Sequence, residues 1–413
     1  MFFHNLKNYD GHIIIRALND KGFENIQVIA QNFEKYISFS FSHLKFLDSF
    51  SFLTSSLDTL VKNLSEEGQD KFKYVFEGIT DSNQRQLLLK KGTYPYDYMT
   101  GMNVFDETVL PSQDKFYSKL SESGISDVDY LHAQNVWRTF NIRNMGEYHD
   151  LYLKTDVGLL ADVFENFRKI ATLNYGLDPA NYYTLPNYSW DCMLKNTGVV
   201  LEQITDIDMY QMIEQGLRGG VSVISHRYAK ANNKYMNEHD ETKSSSYITY
   251  LDANNLYGVA MVQSLPKSGF HFVDVESHKD EVLNAEEDSD NGYIVEVDLE
   301  YPEELHDLHN DYPLAPERVA VGNDMLSEYA KSLKNSMNMK GAIVEKLVPN
   351  LNNKYKYVVH YRNLQYYLQK GLRITKFHRI LKFKQSKWLE PYIMFNTDKR
   401  AQAKMHLKRI SIN

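Results

Sequence analysis

The sequence has one cysteine, Cys192, in 413 residues. This excludes an internal disulfide framework and a cysteine-built zinc site, and it fits a reducing compartment. No apolar run approaches the roughly 18 residues that a membrane-spanning helix needs. The opening MFFHNLKNYDGH lacks the charged, apolar and cleavage regions of a secretory signal. A soluble intracellular chain with no membrane partner is therefore expected, with cytoplasm, nucleus and mitochondrion left open. No internal repeat is found, which excludes solenoid architectures.

A chain this long holds two or three domains, each able to bury a core. Hydrophobic content of 43% and charged content of 24% are ordinary, whereas 30 Tyr and 21 Phe are many. Aromatic-rich surfaces stack on bases or sugars, though the same residues also fill cores. The net charge of −8 argues against nucleic acid as a partner until its distribution is considered. Residues 343–413 carry sixteen Lys/Arg against three acids, a local +13, which leaves −21 for the rest. Such polarity suits acids that hold cations in one place and a basic track for phosphates in another, or simply a solvated basic face.

The runs HIIIRAL, IQVIA and KYISFSF read as short strands. Leu160, Val163, Phe164 and Phe167 recur at helical spacing and predict an amphipathic helix from about residue 156 to 171. Residues 173–246 read as irregular and end in the exposed loop NNKYMNEHDETKSSS. A second strand-rich block begins at Tyr247, where YITYL ends on Asp252, and continues with GYIVEVDLEYP and YKYVVHY; EVLNAEEDSDNG reads as a loop. Strands followed by helices, then a second strand-rich block, predict α/β plus α+β architecture.

Four short motifs carry possible chemistry. Asn5, Tyr9 and Asp10 stand in HNLKNYDG, where Asp-Gly is by itself a turn signal. Tyr152 and Asp156 are four apart, on one face at the expected helix start. A metal-dependent nuclease would use that carboxylate for a divalent ion and the phenol to orient water; complementing the helix dipole would explain Asp156 alone. Arg218-Gly219-Gly220 is a hairpin turn or a phosphate approach. Asp252 at a strand end suits a metal-bound triphosphate, and Tyr257 beyond it could exclude a 2′-hydroxyl; otherwise they are a turn residue and a core aromatic.

In this order the motifs resemble family B DNA polymerases of the protein-primed type found in viruses, organellar plasmids and virus-like transposons. Asn5, Tyr9 and Asp10 match the second exonuclease motif, and Tyr152 and Asp156 the third. Ser56-Leu57 is similar to the single-strand-binding signature of the proofreading site, with Lys91 as its lysine partner. Leu217 through Gly220 resembles Tyr-x-Gly-Gly, with Leu in place of Tyr. Asp252 through Gly258, DANNLYG, resembles polymerase motif A, and the segments 306–317, 346–364 and 381–393 resemble those that follow it in transposon polymerases.

The resemblance implies a ribonuclease H-like 3′→5′ exonuclease domain over residues 1–175, truncated so as to lack its first strand. A connecting region with the Gly-Gly motif would span 176–246, and the N-terminal part of a palm with an insertion 247–413. It further implies Mg²⁺ at Asp10, Asp156 and Asp252, sugar selection by Tyr257, and contacts from Asn5, Tyr9, Ser56, Leu57, Lys91, Arg218, Gly219 and Gly220 to DNA. The partners implied are primer-template DNA, deoxynucleoside triphosphates and a terminal priming protein. The first exonuclease motif and polymerase motifs B and C have no match. Asp298-Leu299-Glu300 comes too late in the order and reads as a palm strand, and Asp288-Ser289-Asp290 lies in an acidic loop. The expectation is a chain incompetent at both sites, with a non-catalytic nucleic-acid-binding remnant or a stand-alone nuclease as alternatives.

Overall fold

The computed structural model describes residues 1–219, 221–339 and 344–402. The chain divides into two compact units, Met1–Gly198 joined by the chain from Met394, and Val199–Ile393.

In the first unit, β1 (Phe2–Phe3), α1 (Asp10–Asp20), β2 (Gln27–Ala30), β3 (Tyr36–Phe41) and β4 (Leu44–Asp48) form a four-stranded sheet with one helix. Its order is β1-β4-β3-β2, parallel only between β1 and β4. The run HIIIRAL is thus helix α1, not the strand expected. Gly11, Ile14, Ile15 and Leu18 lie at helical spacing, and the last three pack on Leu6, Phe39 and Phe46. A short apolar run does not by itself distinguish the two periods.

Five helices follow: α2 (Leu57–Ser65), α3 (Ser82–Leu88), α4 (Asp127–Thr139), α5 (Met145–Tyr175) and α6 (Leu185–Thr197). α5 is far longer than expected. The Asn144 side chain caps its start by accepting from Glu147 N, and Gly176 ends it in the left-handed region at φ 65°. Tyr152 and Asp156 therefore sit mid-helix, which removes dipole compensation as an account of Asp156. Leu159, Val163, Phe164 and Phe167 are its buried stripe.

The second unit contains α7 (Ile207–Gly216), α8 (Leu256–Met261), β5 (Leu265–Val273), α9 (Val275–Asn284), β6 (Asn291–Glu300), α10 (His306–His309), β7 (Glu317–Ala320), α11 (Glu328–Ser336), β8 (Glu345–Val348), β9 (Lys354–His360), α12 (Tyr361–Gln369) and β10 (Arg373–Ser386). α13 (Glu390–Gln402) runs back into the first unit. An antiparallel sheet, β5-β10-β6-β9, buries β6 on both faces. One face packs on α9 and α12 through Val282 and Leu364; the other packs on α7 through Met212. β7 and β8 form a separate two-stranded sheet. The buried Lys354 anchors it, donating to Glu317 at 3.0 Å.

Two further expectations are corrected. Residues 173–246 include α6 and α7, and the first four residues of EVLNAEEDSDNG belong to α9. Asp298 and Glu300 lie on β6, and Asp288 and Asp290 in the loop before it. No described helix is long and apolar enough to cross a membrane.

Candidate functional site

The turn HNLKNYD is held from beneath by Asp48, the last residue of β4. Its carboxylate is 1% exposed and accepts from the amides of Asn5 (2.8 Å), Lys7 (3.2 Å) and Phe50 (2.9 Å). Asn5 takes the left-handed region at φ 71°, a conformation that asparagine tolerates. The His4 ring is fixed between Ser49 Oγ and Ser55 O, each at 3.0 Å. Burial lowers its pKa, opposed by the Ser55 bond and the Asp48 and Asp156 charges and reinforced by Lys91. Tyr9 is 71% exposed, and Asp10 is exposed in the first turn of α1. Asp10 makes no ion pair among the described residues.

Tyr152 and Asp156 share a face of α5, and the loop before residue 97 comes to meet them. Lys91 Nζ stands 3.9 Å from Asp156 Oδ1, a buried atom with no hydrogen-bond partner among the described residues. The Tyr152 ring stacks on Tyr94 at 4.8 Å, and its hydroxyl bonds to that of Tyr96. Burial first, then Tyr96 and Asp156, pushes the Tyr152 phenol well above its usual pKa. Gly92 permits this approach, because a Cβ there would lie 2.9 Å from the Tyr152 ring. Ser56 caps α2, its Oγ accepting from Thr59 N at 3.3 Å, and Leu57 is core.

The structure thus gathers Lys91, Tyr152 and Asp156, with His4 close enough to feel their charges. It leaves Tyr9 and Asp10 exposed.

Sequence reasoning passed over Asp48 and Asp162. Asp162 is 1% exposed and accepts from the amides of Lys73 (2.7 Å), Tyr74 (2.9 Å) and Val75 (3.0 Å), binding that loop to α5. An acid inside the apolar stripe LLADVFENF was the available signal.

In the second unit, Arg218 does not reach outward. Its guanidinium donates to Val358 O at 2.5 Å and lies 3.8 Å from the Tyr357 ring centroid. Gly219 is open, and Gly220 lies outside the described residues. The segment before Asp252 is not a strand, contrary to expectation. A strand is defined by its neighbour, and no described segment pairs with residues 247–253. Asp252 is exposed, and Tyr257, on α8 rather than in a core, is 84% exposed.

The basic tract is partly neutralised where it folds. Arg379 grips Glu296 at 2.9 and 3.2 Å, Lys382 meets Glu281 at 2.9 Å, Lys387 meets Asp288 at 2.7 Å, and Arg362 meets Glu287 at 2.8 Å. Part of the charge separation along the sequence therefore becomes local pairing. Lys356, Lys376 and Lys384 form no ion pair among the described residues.

Catalysis by two divalent ions needs several converging carboxylates. Among the described residues no three His, Cys, Asp or Glu are grouped to hold a metal ion. Asp156 has an ammonium for a neighbour, Asp48 is committed to backbone amides, and Asp252 is exposed. The donors present do not fit the expected Mg²⁺ sites.

A family model described as DNA polymerase type B, organellar and viral, matches residues 1–411. Solved structures of Phi29 DNA polymerase are similar at 14% identity. The orthorhombic crystal form is matched over 99% of this chain and 57% of that one, with a TM-score of 0.47. The ternary complex with primer-template DNA and incoming nucleotide substrates is matched over 100% and 57%, with a TM-score of 0.48. The chain thus spans 57% of the length of those polymerases. No curated protein matches it.

Proposed function

This chain belongs to the organellar and viral DNA polymerases of type B, and from that premise we propose that it serves DNA-directed addition of deoxynucleotides to a primer terminus or priming protein. In this reading residues 1–175 are the 3′→5′ exonuclease portion, ribonuclease H-like in ancestry, residues 176–246 are a connecting region, and the palm begins at 247. Asp252 and Tyr257 face the incoming nucleotide. Primer-template DNA, deoxynucleoside triphosphates and a priming protein are the partners.

Lys91, Tyr152 and Asp156, with His4 near enough to feel the charges of Lys91 and Asp156, form a cluster that would receive a single-stranded end. Lys91 offers charge to phosphate beside the stacked Tyr94 and Tyr152. Ser56 stands beside it at the start of α2.

We further propose that the chain by itself binds DNA without turning it over. The observation that carries this is the pairing of Asp156 with Lys91 at 3.9 Å where a second carboxylate would be needed. Divalent ions of the kind that family B polymerases generally use find too few donors at either motif.

Binding of single-stranded and primer-template DNA, followed by fluorescence anisotropy across salt concentrations, is expected to weaken as salt rises. Primer extension and 3′ trimming with Mg²⁺ are expected to be absent. Extension lost in Asp252→Ala, or trimming lost in Asp156→Ala, would refute the second proposal; absence of any DNA binding would refute the reading of the cluster.

A further inference from the structure

Residues 221–231 and 247–254 form two arms that leave their backbone unused. Among the described residues they make no backbone hydrogen bond, yet they expose Ile224, Tyr228, Ile248, Tyr250 and Leu251 by 75%, 80%, 63%, 91% and 86%. Their common end, by contrast, is tightly knotted. Asn232 and Ser246 exchange both backbone hydrogen bonds, at 3.2 and 2.7 Å, as an isolated antiparallel pair. The Asn232 carboxamide also donates to Asp240 O at 2.9 Å and accepts from Asp240 N at 2.8 Å. Asn233, 6% exposed, donates to Ser246 O at 3.0 Å. The entropy of closing the loop has already been spent, so pairing can propagate outward from this point.

Antiparallel pairing fixes what each residue would meet, because paired residue numbers keep a constant sum. Continued from Asn232 and Ser246, Lys230 falls opposite Ile248, Tyr228 opposite Tyr250, and His226 opposite Asp252, all on one face. Aromatic opposite aromatic and imidazole opposite carboxylate are favourable cross-strand pairs. A shift by one residue would break both matches. In the present conformation His226 instead holds Asp311, Nε2 to Oδ2 at 2.9 Å.

We infer that residues 226–232 and 246–252 zip into an antiparallel hairpin in this register, with His226 exchanging Asp311 for Asp252. Asp252 then stands at a strand end with a fixed backbone, and His226 is its positioning residue. Only the role given to Asp252 rests on the polymerase reading; the pairing does not.

The test uses paired cysteines in the whole chain, whose native Cys192 is buried. Arg227 and Leu251 fall opposite each other as a non-hydrogen-bonded pair, with Cα atoms about 4.5 Å apart, within disulfide reach. Arg227 and Thr249 would be roughly 8 Å apart, beyond that reach. Under mild oxidation without DNA, nucleotide or metal, R227C/L251C is expected to crosslink at least about tenfold faster than R227C/T249C. Comparable rates, or no crosslink in either, would overturn the inference. These positions are exposed, so the variants fold, and the result reads pairing whatever the outcome of extension assays.

Discussion

Asp156 and Asp252 stand in motifs of the same kind, and the fold treats them in opposite ways. Asp156 lies on a 31-residue helix, flanked by Tyr152 and Lys91 and supported by a loop that Asp162 ties down. Asp252 follows a segment that pairs with no strand among the described residues, and it is exposed. Helical periodicity is satisfied within one segment, whereas a strand end exists only once another strand is beside it. A site on a packed helix is therefore organised wherever that helix folds, but a site on a strand waits for its neighbour.

The largest effect expected from this contrast is on stability. Asp162→Ala strands three backbone amides and is expected to cost about 3–5 kcal/mol in urea unfolding, whereas Asp252→Asn stays within about 0.5 kcal/mol. A large loss from Asp252→Asn would show that its segment is tied down after all.

Acid is expected to loosen the second unit at a named residue. Burial, aided by the nearby Arg362 charge, lowers the His360 pKa from 6.5 to about 4. The unfolded chain therefore binds the proton first, and this contribution is complete above pH 6.5 and lost as pH falls toward about 4. Between pH 6.5 and 5 the loss is about 2 kcal/mol, read as the difference in urea unfolding between the native chain and His360→Gln. An identical pH slope in both would refute it.

Arg218→Ala comes next. It removes the Val358 carbonyl bond and the stack on Tyr357, and about 1–2 kcal/mol of stability is expected to go. The salt slope of DNA binding is expected to stay unchanged; a slope reduced by about one would return Arg218 to the phosphates.

A small stability effect, within about 1 kcal/mol, is expected of Lys91→Ala, because its ion pair is partly exposed. Its affinity for single-stranded DNA, measured by anisotropy, is expected to fall, sharpening the contrast with an Asp252→Asn variant that binds as before.

Legibility in the sequence followed the same division. The core stripe of α5, the strands β2, β3, β6 and β9, and the i, i+4 pairing of Tyr152 with Asp156 could be read from local spacing. HIIIRAL could not, because three apolar residues in a row satisfy either period and only packing against Phe39 and Phe46 decides. Asp48 was invisible because its partners are backbone amides elsewhere in the chain, and Asp162 showed only as an acid inside an apolar stripe. The charge asymmetry was real along the chain but misleading in space, since β10 and α12 place their cations against the acids of α9, the loop after it, and β6.

By itself the sequence determined the family, through the order of short motifs, and the elements whose period is unambiguous. Tertiary structure decided which motif residues meet. Lys91 reaches Asp156 across 65 residues of chain because α5 and the loop before Tyr94 pack together, while Asp10 remains exposed at a helix start. The physical reason is range: periodicity and turn chemistry act over a few residues, whereas a site is built by packing and backbone hydrogen bonds between segments far apart in the chain.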